Sequence, residues 1–323
     1  MSPWKAAYAG DHFDTIDTPA LVLDLDAFEH NMKRLQEAMS KAGVRLRPHA
    51  KSHKCPEIAL RQIAAGAVGI CCQKVSEAAV FVAAGIQDIL ITNQVVGERK
   101  VAHALDLAQQ ARIGVLVDHE DQVAAFAQAS TARKIQIDVY IEVDVGMGRC
   151  GATSIDQAVA LARHIDQAPY LNFMGLQCYH GSAQHYRLPK ERQDGITAVC
   201  AKAAAAKAAV EKAGITVERI TGAGTGSVML EGSSSIFNEV QAGSYVLMDR
   251  DYAKNQRDAS DLAFEHALFI KTAILSHPTQ GRAVVDAGLK ASSVDSGMPQ
   301  VWQRTDANYL KASDEYGVLE LTA

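Results

Sequence analysis

Val44-Arg45-Leu46-Arg47-Pro48-His49-Ala50-Lys51-Ser52-His53-Lys54 places basic groups where a strand ordinarily carries few. Side chains alternate across a strand, so Val44, Leu46, Pro48 and Ala50 share one face and Arg45, Arg47, His49 and Lys51 share the other. With the apolar face packed on covering helices, the basic face looks into the interior of a sheet or barrel, where an unpaired charge is costly. Something anionic is expected to meet it. A lysine held there loses proton affinity through desolvation and neighbouring positive charge, which makes it a usable amine nucleophile. Lys51 is the candidate; the plainer alternative is a surface lysine in a loop. Lys54 lies past the strand, just before Cys55-Pro56, and proline is favoured in the first turn of a helix.

Working outward, Ala20-Leu21-Val22-Leu23-Asp24-Leu25 reads as a short apolar strand. Phe28, Met32, Leu35 and Met39 then recur at helical spacing, with Gly43 as the stop. After the basic strand a unit repeats. Strands are expected at 67–71, 88–92, 113–117, 135–143, 173–178, 217–220 and 238–241, and helices at 75–84, 100–111, 120–129, 155–165 and up to Gly214. Strands alternating with helices argue for parallel βαβ units, and eight of them, counted from the basic strand, fit a closed (β/α)8 TIM-type barrel. Beyond about Leu262 the rhythm changes to strands joined by turns, at 267–275 and 282–286. The expected organisation is a barrel over 15–260 and a smaller β-rich domain over 261–323, with residues 1–25 nearby. That second domain is expected to be incomplete, with exposed sheet edges.

The chain has 323 residues, 48% hydrophobic and 21% charged, with a net charge of −5, which describes an ordinary globular protein with a sizeable core. An acidic balance without a basic cluster interleaved with aromatics excludes nucleic acid as a partner. Six scattered cysteines, two of them adjacent at Cys71-Cys72, form no CxxC pair, so neither a disulfide framework nor a zinc knuckle is suggested and a reducing cytoplasm fits best. Met1-Ser2-Pro3-Trp4-Lys5 lacks the apolar core of a signal peptide, and no run approaches the length of a membrane span.

In such barrels the reactive groups sit at the C-terminal ends of the strands. The first barrel strand ends at His49-Ala50-Lys51. The fifth ends at Asp144-Val145-Gly146-Met147-Gly148-Arg149-Cys150-Gly151, where Arg149 offers a rigid fork for an oxyanion or else a structural ion pair. The sixth ends at Gln177-Cys178-Tyr179-His180-Gly181-Ser182-Ala183-Gln184-His185, polar and aromatic where a flat ligand needs contacts; His180 and His185 equally suit a satisfied core or surface. The seventh ends at Thr221-Gly222-Ala223-Gly224-Thr225-Gly226-Ser227, which is either a plain turn or a phosphate cradle of backbone N–H groups and hydroxyls. The eighth runs into Ala242-Gly243-Ser244-Tyr245. A lysine amine, an arginine and a phosphate cradle together suggest pyridoxal phosphate.

The segments Asp17 to Asp26, Arg47-Pro48-His49-Ala50-Lys51, Val75-Ser76-Glu77-Ala78 and Gly146 to Gly151 resemble the alanine-racemase-type, fold type III pyridoxal-phosphate enzymes. Within that group, Cys71 to Ala78, Tyr179 to His185, Gly224-Thr225-Gly226-Ser227 and Val285-Asp286-Ala287-Gly288-Leu289-Lys290 resemble the D-threonine aldolase and 3-hydroxy-D-aspartate aldolase branch. The likeness runs from about Thr15 to Gly317. It implies a lyase that cleaves a D-β-hydroxy-amino acid, of 3-hydroxy-D-aspartate or D-threonine type, to glycine and an aldehyde. Lys51 would hold the cofactor as a Schiff base and Arg149 would contact its phenolic oxygen. Tyr179 would lie beside it; Gly224, Thr225, Gly226, Ser227 and Tyr245 would hold its phosphate; and His185 would take the proton of the substrate hydroxyl.

The resemblance also implies a divalent metal, manganese or magnesium, whose family ligands are a histidine and an acidic or cysteine residue in a motif that does not occur before Ala323. Where the family usually has Asp-Glu-His-Gly, this chain has Asp314-Glu315-Tyr316-Gly317. A homodimer is implied as well. The nearest rival is a D-serine or D-threo-3-hydroxyaspartate dehydratase on the same scaffold, and a more distant one is a carrier of pyridoxal phosphate without turnover.

Overall fold

The computed structural model describes residues 5, 7–259 and 261–322; the leader reading made of residues 1–4 lies outside them. The elements in chain order begin with β1 (Ala20–Leu23) and α1 (Leu25–Ala42). The repeating part follows as β2 (Arg45–Leu46), α2 (Pro56–Ala64), β3 (Ile70–Cys72), α3 (Val75–Ala83), β4 (Asp88–Gln94), α4 (Glu98–Ala108), β5 (Arg112–Val117), α5 (Glu120–Arg133), β6 (Ile137–Glu142), α6 (Ile155–Gln167), β7 (Leu171–Cys178), α7 (Pro189–Lys212), β8 (Arg219–Gly222), α8 (Val228–Gly232) and β9 (Glu239–Val240). Then come α9 (Arg250–Ala253), β10 (Leu268–Lys271), β11 (Ile274–Thr279), β12 (Arg282–Val285), β13 (Ala307–Ala312) and β14 (Gly317–Leu321). Two compact units result, both discontinuous in sequence: Asn31–Val246 with Asn255–Ala263, and Met1–His30 with Leu247–Lys254 and Phe264–Ala323.

The first unit is an eight-stranded parallel sheet in the order β2-β9-β8-β7-β6-β5-β4-β3. It closes into a barrel. Val68 N–H donates to the Leu46 carbonyl at 3.0 Å and Cys71 N–H to the Pro48 carbonyl at 2.8 Å, and His49 bridges Cys71 in parallel register. Strand alternation explains the packing. Ile89, Ile91, Val115, Val117, Val139 and Ile141 turn outward into the layer shared with the helices, whereas Cys71, Leu90, Leu116, Tyr140 and Met174 meet one another as a separate buried cluster. The helices start and stop on local chemistry. Pro56 and Pro189 occupy first-turn positions, the Ser154 hydroxyl accepts the Gln157 N–H at 3.1 Å to begin α6, and Gly214 takes φ +86° just past α7.

One expectation needs correction. The basic stretch is not a strand as far as Lys51: β2 is two residues long, and the chain turns into a 3-10 helix over Ala50–Ser52. Pro48 has no N–H for a ladder, and the His49 imidazole accepts the Lys51 N–H at 3.3 Å, which caps that turn. A second shift is smaller: β8 covers Arg219–Gly222 rather than 217–220, so Thr221 and Gly222 lie within the strand.

In the second unit β1 pairs antiparallel with β10, and β11-β12-β14-β13 form a four-stranded sheet. Its core is small, built on Ala283, Val285 and Leu319. Asp286, in the motif at 285–290, ties this unit together: it accepts hydrogen bonds from the Thr18 and Thr272 hydroxyls and from the Ala273 N–H. Strand β11 lies at the sheet edge with all six residues exposed.

Candidate active site

At the foot of the barrel mouth, Arg47 answers the expectation of an anion, and the protein itself supplies it. Arg47 is buried; its Nε lies 3.0 Å from Glu239 Oε1 and its Nη1 2.6 Å from Asp88 Oδ1. Glu239 Oε1 also accepts from the Thr221 hydroxyl, and Thr221 Oγ1 accepts from Gln241, whose amide pairs reciprocally with that of Gln177. The barrel interior beneath the site is thus a polar network with the guanidinium doubly paired, in which Glu239 Oε2 is left without a hydrogen-bond partner.

His49 sits above it, buried and neutral. Burial, with the Lys51 charge adding to it, holds its pKa well below the ordinary histidine value. Its tautomer follows from its partners. Nδ1 accepts from Lys51 N–H, so Nε2 carries the proton and donates to Thr92 Oγ1 at 2.8 Å, and the Thr92 hydroxyl donates onward to the Cys72 carbonyl. This chain of donors fixes the turn that presents Lys51.

The Lys51 Nζ lies 5.8 Å from the centre of the Tyr179 ring, and the Arg149 guanidinium lies 5.8 Å from the same centre. Desolvation, with the Arg149 charge second, lowers the Lys51 pKa. Lys51 and Arg149 are both solvent-accessible, and Tyr179 is half-buried. Arg149 reaches Glu142 Oε1 at 3.5 Å; burial raises the Glu142 pKa, and Gln94 donates to its other oxygen. Lys54, by contrast, pairs with Glu77 at 3.3 Å. Lys51, Arg149 and Tyr179 therefore come together as the sequence reading expects, and Lys54 is tied elsewhere.

The loop after β8 is held from the side by Gln184. Its Oε1 accepts the Gly226 N–H at 3.1 Å and its Nε2 donates to Ser227 Oγ at 2.7 Å and to the His180 carbonyl at 3.2 Å. The glycines are required by this contact. A Cβ on Gly226 would stand 2.3 Å from the Gln184 carbonyl oxygen, and one on Gly224 would stand 2.6 Å from Gln184 Oε1. Ser227 Oγ and Glu231 Oε1 share a hydrogen bond at 2.9 Å, and the Thr225 hydroxyl accepts the Tyr245 N–H at 2.9 Å.

Tyr245 meets the loop through its backbone; its ring is fully buried and its hydroxyl accepts from Gln62 at 3.1 Å. His180 is buried, with Nδ1 accepting the Ala183 N–H at 3.2 Å, and so serves the turn. His185 ends the 3-10 turn Ser182–His185 and is exposed. Sequence reading missed Gln184, Thr92 and Glu231 as working parts. Gln184 was visible only as one letter of the segment ending in His185; the other two carried no signal outside the fold.

The donor set fits pyridoxal phosphate. An amine of lowered pKa and a guanidinium each lie over the Tyr179 ring, and a glycine-threonine-serine loop with hydroxyls follows β8 of the same barrel. For a divalent metal the residues do not fit: among the described residues no group of three or more His, Cys, Asp or Glu could hold one.

A closed parallel barrel with these groups at its strand ends defines a fold type III, alanine-racemase-type scaffold. The family model for the alanine racemase N-terminal domain matches residues 23–251, so the chain belongs to that family, and a serine dehydratase domain model matches residues 267–323. The chain is similar to a D-threonine aldolase of Arthrobacter sp, 47% identical over 98% of this chain and 83% of that one. It is also similar to a 3-hydroxy-D-aspartate aldolase of Paracoccus denitrificans, 40% identical over 94% and 80%. The crystal structure of D-threonine aldolase from Filomicrobium marinum superposes with a TM-score of 0.97 at 46% identity, covering 98% of this chain and 86% of that one. Dehydratase relatives stand further off, at 31% identity or below.

Proposed function

We propose that the protein is a pyridoxal-phosphate-dependent lyase that cleaves a D-β-hydroxy-amino acid, D-threonine or 3-hydroxy-D-aspartate, to glycine and an aldehyde. The observation that carries this is the placing of the Lys51 amine and the Arg149 guanidinium each 5.8 Å from the centre of the Tyr179 ring. Similarity to two aldolases over nearly the whole chain supports it. When bound, the cofactor would supply an electron sink for the pair left on Cα as the Cα–Cβ bond breaks.

The rest falls to the protein. Lys51, its proton affinity lowered by burial and by the Arg149 charge, offers a nucleophilic amine to the cofactor aldehyde. Arg149 holds negative charge at the ring, and the aromatic wall of Tyr179 keeps the flat group in place. Gly224, Thr225, Gly226 and Ser227 hold the phosphate, with Tyr245 bracing Thr225 from behind. His185, exposed at the end of its turn, accepts the proton of the substrate β-hydroxyl as the aldehyde carbonyl forms. No step is assigned to a metal. The barrel unit, Asn31–Val246 with Asn255–Ala263, is the part we assign to cofactor binding, and the cytoplasm is the compartment we assign. No helix among the described residues is long and apolar enough to cross a membrane.

The test is to supply pyridoxal phosphate and each D-substrate, with and without added manganese, and to measure glycine plus aldehyde against ammonia plus keto acid. Glycine and aldehyde are expected in equal amounts. Ammonia and keto acid alone would make the protein a dehydratase, and cofactor binding without either product would make it a carrier. We further propose a homodimer, checked by light scattering: a mass near twice the chain's 34.6 kDa is expected.

A further inference from the structure

Beneath the glycine loop lies a buried carboxyl, Glu231, with no cation set against it. Gln184 has its amide orientation set, because Oε1 takes the Gly226 N–H and Nε2 therefore faces Ser227 Oγ. Ser227 Oγ thus already accepts one hydrogen bond. Its other partner is Glu231 Oε1 at 2.9 Å. Glu231 is 1% exposed, and its Oε2 has no hydrogen-bond partner. The groups that face it are the Ser227 hydroxyl, its own backbone N–H, Tyr179 after β7 and Cys200 on α7, none of them cationic. A carboxylate without a counter-charge, with one oxygen unsatisfied, would also repel any anion seated on the loop above it.

We propose that Glu231 is a neutral acid whose own proton is donated to Ser227 Oγ, which leaves the Ser227 hydroxyl hydrogen for the phosphate held by the loop. The two arrangements differ in where one hydrogen goes. With Glu231 ionised, Ser227 donates downward and its single hydrogen is spent. With Glu231 protonated, Glu231 and Gln184 fill both Ser227 lone pairs as donors, and the hydroxyl hydrogen is free for an anion. No proton leaves the acid in either binding step. Burial agrees with this assignment, since it pushes the Glu231 pKa up to about 8.

The inference rests on reading Gly224–Ser227 as the phosphate's cradle, and the test separates the two. Dissociation constants of pyridoxal phosphate and of pyridoxal are measured on the full chain from about pH 6.5 to about 9.5, a range above the phosphate's second ionisation. Their ratio cancels the titration of Lys51, which both probes meet alike. In the wild type the preference for the phosphorylated form is expected to fall roughly tenfold as pH rises through the Glu231 transition, the effect of one hydrogen bond to a charged group. Glu231→Gln, permanently neutral and still a donor to Ser227, is expected to keep the high preference at every pH. Ser227→Ala is expected to show the low preference throughout.

A flat wild-type profile, or a Glu231→Gln profile that falls like the wild type, overturns the role of Glu231. If the wild type prefers neither probe at any pH, the phosphate reading of the loop fails and the inference falls with it. Infrared spectra of the wild-type holoprotein serve where Glu231→Gln does not fold. A protonated-carboxyl band present at about pH 7 and lost by about pH 9 supports the proposal, and no such band overturns it.

Discussion

Lys51, the amine we propose for the cofactor, has two neighbours of different kinds: an imidazole that caps its turn, and a guanidinium that, after burial, depresses its proton affinity. Each can be removed. Replacing Lys51 with alanine is expected to abolish the covalent, borohydride-trappable attachment of pyridoxal phosphate; a wild-type yield of trapped cofactor in the variant would show that another amine is used. Replacing Arg149 with methionine removes the charge second in depressing Lys51, so the amine regains protons and its pKa rises toward the ordinary lysine value. A smaller neutral fraction then remains at neutral pH. The rate at which pyridoxal is captured is expected to fall there, and its pH midpoint to move upward; an unmoved midpoint would show that Arg149 does not act on Lys51.

At this scale the sequence was informative about residue types at strand ends and silent about partners. Lys51, Arg149 and Tyr179 were legible because the barrel rule points at their positions. The Arg47 pairing with Asp88 and Glu239 was not, since those carboxylates lie far off in sequence, and neither was the downward burial of the Tyr245 hydroxyl.

Among the elements, the long periodic ones were the legible ones. The helices from α3 to α7 begin within about two residues of expectation wherever a start was read, because apolar spacing, first-turn acids and stop glycines agree. The basic strand was overextended since alternation in the letters does not register a missing proline N–H or a side chain that caps the next turn. The loop between β8 and α8 shows the converse case, in which a small change of shape has a large effect. Gly226→Ala puts a methyl group 2.3 Å from the Gln184 carbonyl oxygen, a contact that backbone must yield to. The variant is expected to weaken pyridoxal phosphate binding by at least tenfold while pyridoxal binding changes little, as read by fluorescence titration; equal losses for both would mean that the loop does not discriminate the phosphate.

For the whole barrel the decisive contact is the buried guanidinium clasp. Arg47→Met leaves Glu239 and Asp88 without their shared cation, and breaking a buried pair in this way costs about 3–5 kcal/mol. Urea denaturation is expected to show that loss as a lower midpoint with an unchanged slope, and a loss under about 1 kcal/mol would mean that water or rearrangement compensates the carboxylates. The two-unit division was partly legible: the change of rhythm after residue 262 was visible and residues 1–25 were expected beside the second domain, whereas the strand that β1 pairs with, β10, depends on pairing across most of the chain.

The same clasp sets a timetable for synthesis. Arg47 and Glu239 are 192 residues apart, and β2 finds its ladder partner only in β9. A ribosome adding about 5–20 residues per second takes roughly 10–40 s to cover that interval. Throughout it Arg47 has Asp88 but not Glu239 to pair with and the nascent sheet keeps an open margin, so the barrel can close only after its last strand has left the exit tunnel.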